Sequence, residues 1–394
     1  MLKHMSAHHH CDIFCFGNAD SASREALHAL MPGVNVLDVL PLNTGRKKAF
    51  LALWNLIRFL PPSFAAFASK DYELKLNEIL EHHKYDVVHY DIVNMAQFVA
   101  QGSRFASVHS PNDATSLVYF RVAKSMRWSL AKIRLLLSAF LLRRFERKTY
   151  GEIDKVHVVS KEDAQYLLEL VQGIDVSAIP IAVDDALLNA SVVGLRETPN
   201  HAPRIICTGN LDNPAISGGL EDFIRMAYPV ILASIPDVQL VILGKNIGES
   251  FSRLCASIPS IQILSWVDDY REFMLSADVV LVPDQTGPDG AKTRTIEAMS
   301  LKLPVVGTRT AFAGIPIVNK RHGLLYDNVT ECAQLIIDLL MDKKECDFLG
   351  EEAFQMVVQN FSLGVVGPRY ERLYQNALSK FNSGRISDAS GQRA

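Results

Sequence analysis

The sequence has no long apolar run. Every stretch of about 18 residues, the length a membrane-spanning helix needs, is interrupted by charge, so no transmembrane helix is expected. The first fifteen residues, MLKHMSAHHHCDIFC, also lack the apolar core and small-residue cleavage site of a secretory leader. Cysteine is sparse: Cys11, Cys15, Cys207, Cys255, Cys332 and Cys346 form no CxxC pair, so reduced thiols are expected rather than a disulfide framework. His8, His9 and His10 cannot all face one ion on a regular element, and no metal site is read there. Charge of one sign is not in excess: 40 basic and 43 acidic residues give a net charge of −3, so the whole surface is not built to bind nucleic acid. With 22 Gly and 17 Pro among 394 residues, the chain is neither collagen-like nor mostly disordered. No GxGxxG follows an early strand, which argues against a dinucleotide-dependent dehydrogenase.

What is present is an alternation of short apolar runs with helical patterns. At roughly 100–200 residues per domain the length suggests two or three domains. In the second half, RIICT (204–208), VQLVIL (238–243), IQIL (261–264), DVVLVP (278–283) and PVVGT (304–308) read as strands, with helices at 218–234, 249–258, 269–276 and 293–301 between them. Continuous Val/Ile/Leu runs mark parallel strands buried on both faces. The alternation predicts an α/β fold with a doubly wound parallel sheet. The first half repeats the theme with DIFCF (12–16), VNVLDV (34–39), DVVHY (86–90), FASVH (105–109), KVHVVS (155–160) and VSAIPI (176–181), separated by long helical patterns at 46–59, 70–83 and 114–150. The expected organisation is a first domain at 1–186, a linker at 187–203, a second domain at 204–365, a closing helix at 366–380 and a disordered tail at 381–394. The opening MLKHMSAHH reads as the end of a helix running into DIFCF, so a first β-loop-α unit is expected to be absent.

Charge is unevenly placed. Residues 46–148 hold 17 Lys/Arg against 8 Asp/Glu. Within 121–148, nine basic residues interleave with Trp, Leu, Ile and Phe against a single Glu. Such a segment either lies on an anionic membrane surface or forms a long interior helix with a solvated basic face.

The most informative stretch is ADVVLVPDQTGPDGAKTRTIEAMSLKLPVVGT (277–308). A strand ends, a loop with Gly287 and Gly290 follows, and a helix begins near Lys292. Unpaired N–H groups and the helix dipole at such a terminus attract phosphate, and Lys292 and Arg294 add positive charge there. Glu297 lies in the first turns, where its carboxylate can accept two hydrogen bonds from vicinal ribose hydroxyls. The combination reads as a nucleoside-diphosphate site; a plain strand–helix turn with a surface Glu–Lys pair is the alternative.

The segment GAKTRTIEAMSLKLPVVGT resembles the signature of GT-B glycosyltransferases of family 4, the group 1 glycosyl transferases. ICTGNLDNPAISGGLEDFIRMAYPVI, VQLVILGKN and ILSWVDDYREFMLSADVVLVP resemble successive parts of that family's donor lobe, and DKVHVVSKEDAQYL followed by IPIAVD resembles the end of its acceptor lobe. In loop style it is similar to members serving exopolysaccharide assembly. The resemblance implies GT-B architecture: two Rossmann-like doubly wound domains facing a cleft. It implies sugar transfer from a nucleotide-diphosphate sugar to a glycan or lipid-linked acceptor with retention of configuration, with no cofactor and no bound metal. It assigns donor binding to Gly209, Asn210, Gly244, Lys245, Trp266, Val267, Gly290, Lys292, Arg294 and Glu297. It assigns catalytic positions to His109, Asp289 and Glu297, and places Asp113 and Ser116 on the acceptor side. The expected setting is cytoplasmic, at the inner face of the cell membrane, with peripheral contact through 121–148.

Three departures from the family pattern bear on activity. Asn210 stands where the family has Arg, with no Lys in 211–219; the first acid of the paired motif is Asp289 rather than Glu; and Ile181 and Ala182 replace Asn-Gly. Two other readings therefore stand beside transfer: a glycosyltransferase-like binding protein without turnover, and a sugar-nucleotide epimerase of the same architecture.

Overall fold

In the computed structural model the described residues are 1–17, 25, 29, 33–99, 104–192, 202–287 and 290–391. The chain divides into two compact units, Met1–Ile179 with Val366–Ala394, and Pro180–Val365. Among the described residues, no helix is long and apolar enough to cross a membrane.

The first unit opens with a short helix, α1 (Leu2–Met5), and holds two parallel sheets. One pairs β1 (Cys11–Phe16) with β2 (Val34–Leu40). The other has the order β3 (Val87–Asp91), β4 (Ala106–Asn112), β5 (Lys155–Val158), β6 (Val176–Ala178). Its helices include α2 (Gly45–Ile57), α3 (Lys70–His82), α4 (Thr115–Ser125), α5 (Leu130–Thr149) and α6 (Lys161–Leu170). The helical pattern expected to run unbroken over 114–150 is thus two helices. The break lies at Met126–Ser129, where the Ser129 hydroxyl accepts from the Lys132 N–H and caps a new helix. Phe64, Leu142, Phe145, Tyr150 and Val156 centre this unit's core.

The second unit begins with α7 (Asp185–Val192), so the expected linker opens as helix; residues 193–201 lie outside the described residues. Its six-stranded parallel sheet has the order β12 (Leu324–Leu325), β11 (Val305–Gly307), β10 (Val279–Val282), β7 (Arg204–Asn210), β8 (Gln239–Lys245), β9 (Ile261–Leu264). The chain leaves β7 toward β8 and β9, then returns past it to β10. The order therefore reverses between β7 and β10, the place in such sheets where ligands bind beyond the carboxyl ends. The connecting helices are α8 (Pro214–Asp222), α9 (Tyr228–Ser234), α10 (Glu249–Ala256), α11 (Tyr270–Leu275), α12 (Thr293–Ser300), α13 (Val329–Met341) and α14 (Lys343–Phe361). The expected helix 218–234 is interrupted by a widened π turn at Phe223–Ala227. Pro229 supplies no N–H to the preceding turn, which is the physical reason the α ladder fails there.

The last helix, α15 (Leu363–Gly391), corrects the expectation of a disordered tail from 381: the helix runs through it to Gly391. Val366, Leu373 and Ala377 are buried, and Tyr370 and Tyr374 meet His157 and His89 of the first unit.

Candidate functional site

The second unit gathers most of the expected donor residues at the reversal point. Parallel register pairs Gly209 with Gly244 and Asn210 with Lys245 at the carboxyl ends of β7 and β8. The backbones approach closely here: a Cβ on Gly244 would lie 2.8 Å from the Gly209 carbonyl oxygen. The Lys245 ammonium sits 5.5 Å from the centre of the Trp266 ring. Trp266 is 70% exposed and Val267 half-buried, so the Trp266 ring is open to solvent rather than packed in the core. An exposed indole beside a cation at a strand end is a surface on which a planar base can stack.

Across the reversal point, β10 runs through Pro283 into the loop that leads to α12. Helix α12 has no side-chain cap and no acidic residue in its first turn, so nothing within the helix itself offsets the positive end of its dipole. The Lys292 side chain folds back over Gly287, and its ammonium donates to the Gly290 carbonyl at 3.0 Å. One and a half turns on, Glu297 is half-buried. Its Oε2 accepts from the Tyr270 hydroxyl at 3.1 Å, and Tyr270 in turn accepts from Thr208 on β7. Burial raises the Glu297 carboxyl above its ordinary value, and the Tyr270 hydrogen bond opposes that rise. This Thr208–Tyr270–Glu297 relay fixes one carboxylate oxygen, and the other is the one placed to accept from a ligand.

Arg294 differs from the expectation of a phosphate-facing cation. Its guanidinium is paired with Asp284, a buried carboxylate directly after β10, and reaches over Gly209. Asp284 and Tyr270 were not singled out from the sequence. Asp284 could have been found as an acid abutting a continuous apolar strand, where burial demands a partner. Asp289 lies outside the described residues.

The first-unit candidates form a separate group. His109 lies in the middle of β4, three residues short of its end, and is fully buried, its Nδ1 paired with the Tyr90 carbonyl at 2.9 Å. Burial pushes it down to about 4, so the ring is neutral near pH 7. Asp113 follows in the loop and is partly exposed. Ser116 corrects its acceptor-side assignment: it is 2% exposed, and its hydroxyl donates to the buried Glu146 and meets the Tyr166 hydroxyl at 3.0 Å. The Ser116 N–H also donates to Glu146 at 3.0 Å. Glu146 thus fastens the start of α4 to α5.

Residues 202–342 match the model of the glycosyl transferases group 1. The chain is 23% identical over 169 residues to the capsular polysaccharide biosynthesis glycosyltransferase CapM of Staphylococcus aureus, covering 41% of this chain and 44% of CapM. It is 25% identical over 220 residues to a GDP-mannose-dependent phosphatidylinositol monomannoside mannosyltransferase of Corynebacterium glutamicum, covering 52% and 55%. The matches thus span about half the length of these curated relatives. Among solved structures, a glycosyltransferase from Rickettsia africae superposes with a TM-score of 0.64 at 15% identity over 96% of this chain and 93% of that one. HepE of Anabaena, solved with UDP and glucose, gives 0.63 at 13% identity over 94% and 93%. The fold is that of the GT-B glycosyltransferases. More particularly, the match to the glycosyl transferases group 1 model falls within its second unit.

Proposed function

We propose that the chain transfers a sugar from a nucleotide-diphosphate sugar to a glycan or lipid-linked acceptor in cell-surface or exopolysaccharide synthesis. The observation that carries this reading is the convergence, in the unit matching the group 1 model, of the α12 terminus, Lys292 and the Tyr270-held Glu297 at the sheet's reversal point. The diphosphate leaving group would lie against the α12 terminus and Lys292, the ribose diol against Glu297, and the base against Trp266. Preorganised donors facing a departing diphosphate stabilise the charge that develops as the sugar leaves. Transfer with retention of configuration and without a metal belongs to the same proposal, as does a cytoplasmic setting at the inner membrane face. Retained activity after exhaustive chelation tests the metal clause, and the anomeric configuration of the product tests retention. Asp289 is proposed to contact the donor sugar.

The test is a panel of nucleotide sugars read by thermal shift, followed by a transfer assay with the stabilising donor. Lys292→Ala and Glu297→Ala should each lower transfer by about a hundredfold with unchanged circular dichroism. Wild-type turnover in both variants would overturn the site. The Arg294–Asp284 pair favours a second reading, since it leaves fewer cations for a diphosphate beside Asn210. Calorimetric binding of a nucleotide sugar with neither transfer nor hydrolysis would establish a binding protein instead.

A further inference from the structure

Two helices of the first unit carry apolar stripes that no neighbour covers. On α2, Phe50, Leu53, Trp54 and Ile57 recur at helical spacing, and all four are exposed. On α5, Leu130, Ile133, Leu137 and Phe140 do the same. The opposite face of α5 already serves the core through Leu142 and Phe145, so the outward stripe is surplus to folding. The carboxyl-terminal ends of the two helices lie close together. Phe64, in the turn after α2, meets the edge of Phe145 at 4.7 Å, and the Arg144 guanidinium lies 5.9 Å from the centre of the Phe59 ring at the end of α2.

The charge along these two segments has one sign. Residues 42–69 contain Arg46, Lys47, Lys48 and Arg58 and no acid. Residues 114–145 contain seven basic residues and no acid. A surface of aromatic and aliphatic side chains rimmed only by cations is complementary to an anionic lipid bilayer: the apolar groups enter the acyl boundary while Lys and Arg meet headgroup phosphates. A second copy of the same face is disfavoured, because it would bring two uniformly basic rims together in a low-dielectric contact.

We propose that α2 and α5 together form a bilayer-docking surface for anionic lipid. The sequence alone pointed only to 121–148; α2, whose basic residues are few and lie near its ends, is the second half. This does not depend on the chemistry proposed for the second unit. The test uses the full chain and vesicles of phosphatidylcholine with or without phosphatidylglycerol. The wild type should sediment with the anionic vesicles at low salt, and 0.5 M salt should release it. Phe50→Glu/Trp54→Glu and Ile133→Glu/Phe140→Glu, all at exposed positions, should each reduce binding at least tenfold. Each should keep the wild-type melting temperature and nucleotide-sugar thermal shift. Three results would overturn the proposal: no sedimentation of the wild type, equal binding to neutral vesicles, or full binding by the α2 variant. Concentration-dependent dimerisation of the wild type, lost in the variants, would replace the bilayer with a second copy. Loss of the nucleotide shift in the wild type would count against the donor site alone.

Discussion

Lys292 and Arg294 stand two residues apart at the start of α12, yet the structure gives them different work. Arg294 neutralises the buried Asp284 and braces the end of β7, while the Lys292 ammonium donates to the Gly290 carbonyl and its side chain remains partly exposed. Breaking a buried pair leaves an uncompensated charge, so Asp284→Asn should cost about 3 kcal/mol of stability. Lys292→Ala should cost under about 1 kcal/mol and act on nucleotide binding instead. Urea denaturation of both variants checks the contrast; equal destabilisation would refute it. The sequence pointed to both cations but could not separate them, because the partner Asp284 is ten residues away and only the fold brings it close. Ser116 shows the same limit. A hydroxyl after a strand end suggests a ligand contact, but Glu146, thirty residues later, claims it.

The strands were the most legible elements. Their continuous Val/Ile/Leu runs are a direct imprint of burial on both faces, and β7, β8, β9 and β10 fall within two residues of the expected ends. Helix boundaries were less legible where a local feature outweighed periodicity: Ser129 starts a helix inside an apolar pattern, and Pro229 widens a turn inside another. Close packing was not legible at all. A Cβ on Gly219 of α8 would lie 1.8 Å from the Pro283 carbonyl oxygen at the end of β10. That oxygen cannot yield without moving Asp284, so the helix–strand contact and the site share one constraint. Gly219→Val should destabilise the protein by about 3 kcal/mol and weaken nucleotide binding in parallel. Thermal melts with and without donor measure both effects; a stable variant with normal binding would show that the contact is slack.

At the scale of the whole molecule, acid should act first on the first unit. Burial lowers His89 to about 3, and His109 and His157 to about 4, from an ordinary value of 6.5. Below pH 6.5 the unfolded chain takes up protons that the folded chain refuses, so each histidine lowers stability as pH falls toward 4. Glu146 works in the opposite direction. Burial raises it from 4.5 to about 7, so its stabilising contribution is complete below 4.5 and is lost as pH rises through 7. Three groups outweigh one, and the melting temperature should fall between pH 7 and pH 5. In Glu146→Gln the fall should be steeper, because the opposing contribution is gone. A melting temperature independent of pH in this range would mean the histidines are hydrated.

The route of α15 has a consequence for how the chain is made. The helix starts as the second unit ends, and its buried side chains complete the core of the first. During synthesis, at roughly 5–20 residues per second, the second unit can emerge whole and fold while the first still lacks Tyr370, Leu373 and Ala377. The half of the protein that leaves the ribosome first is therefore the last that can close.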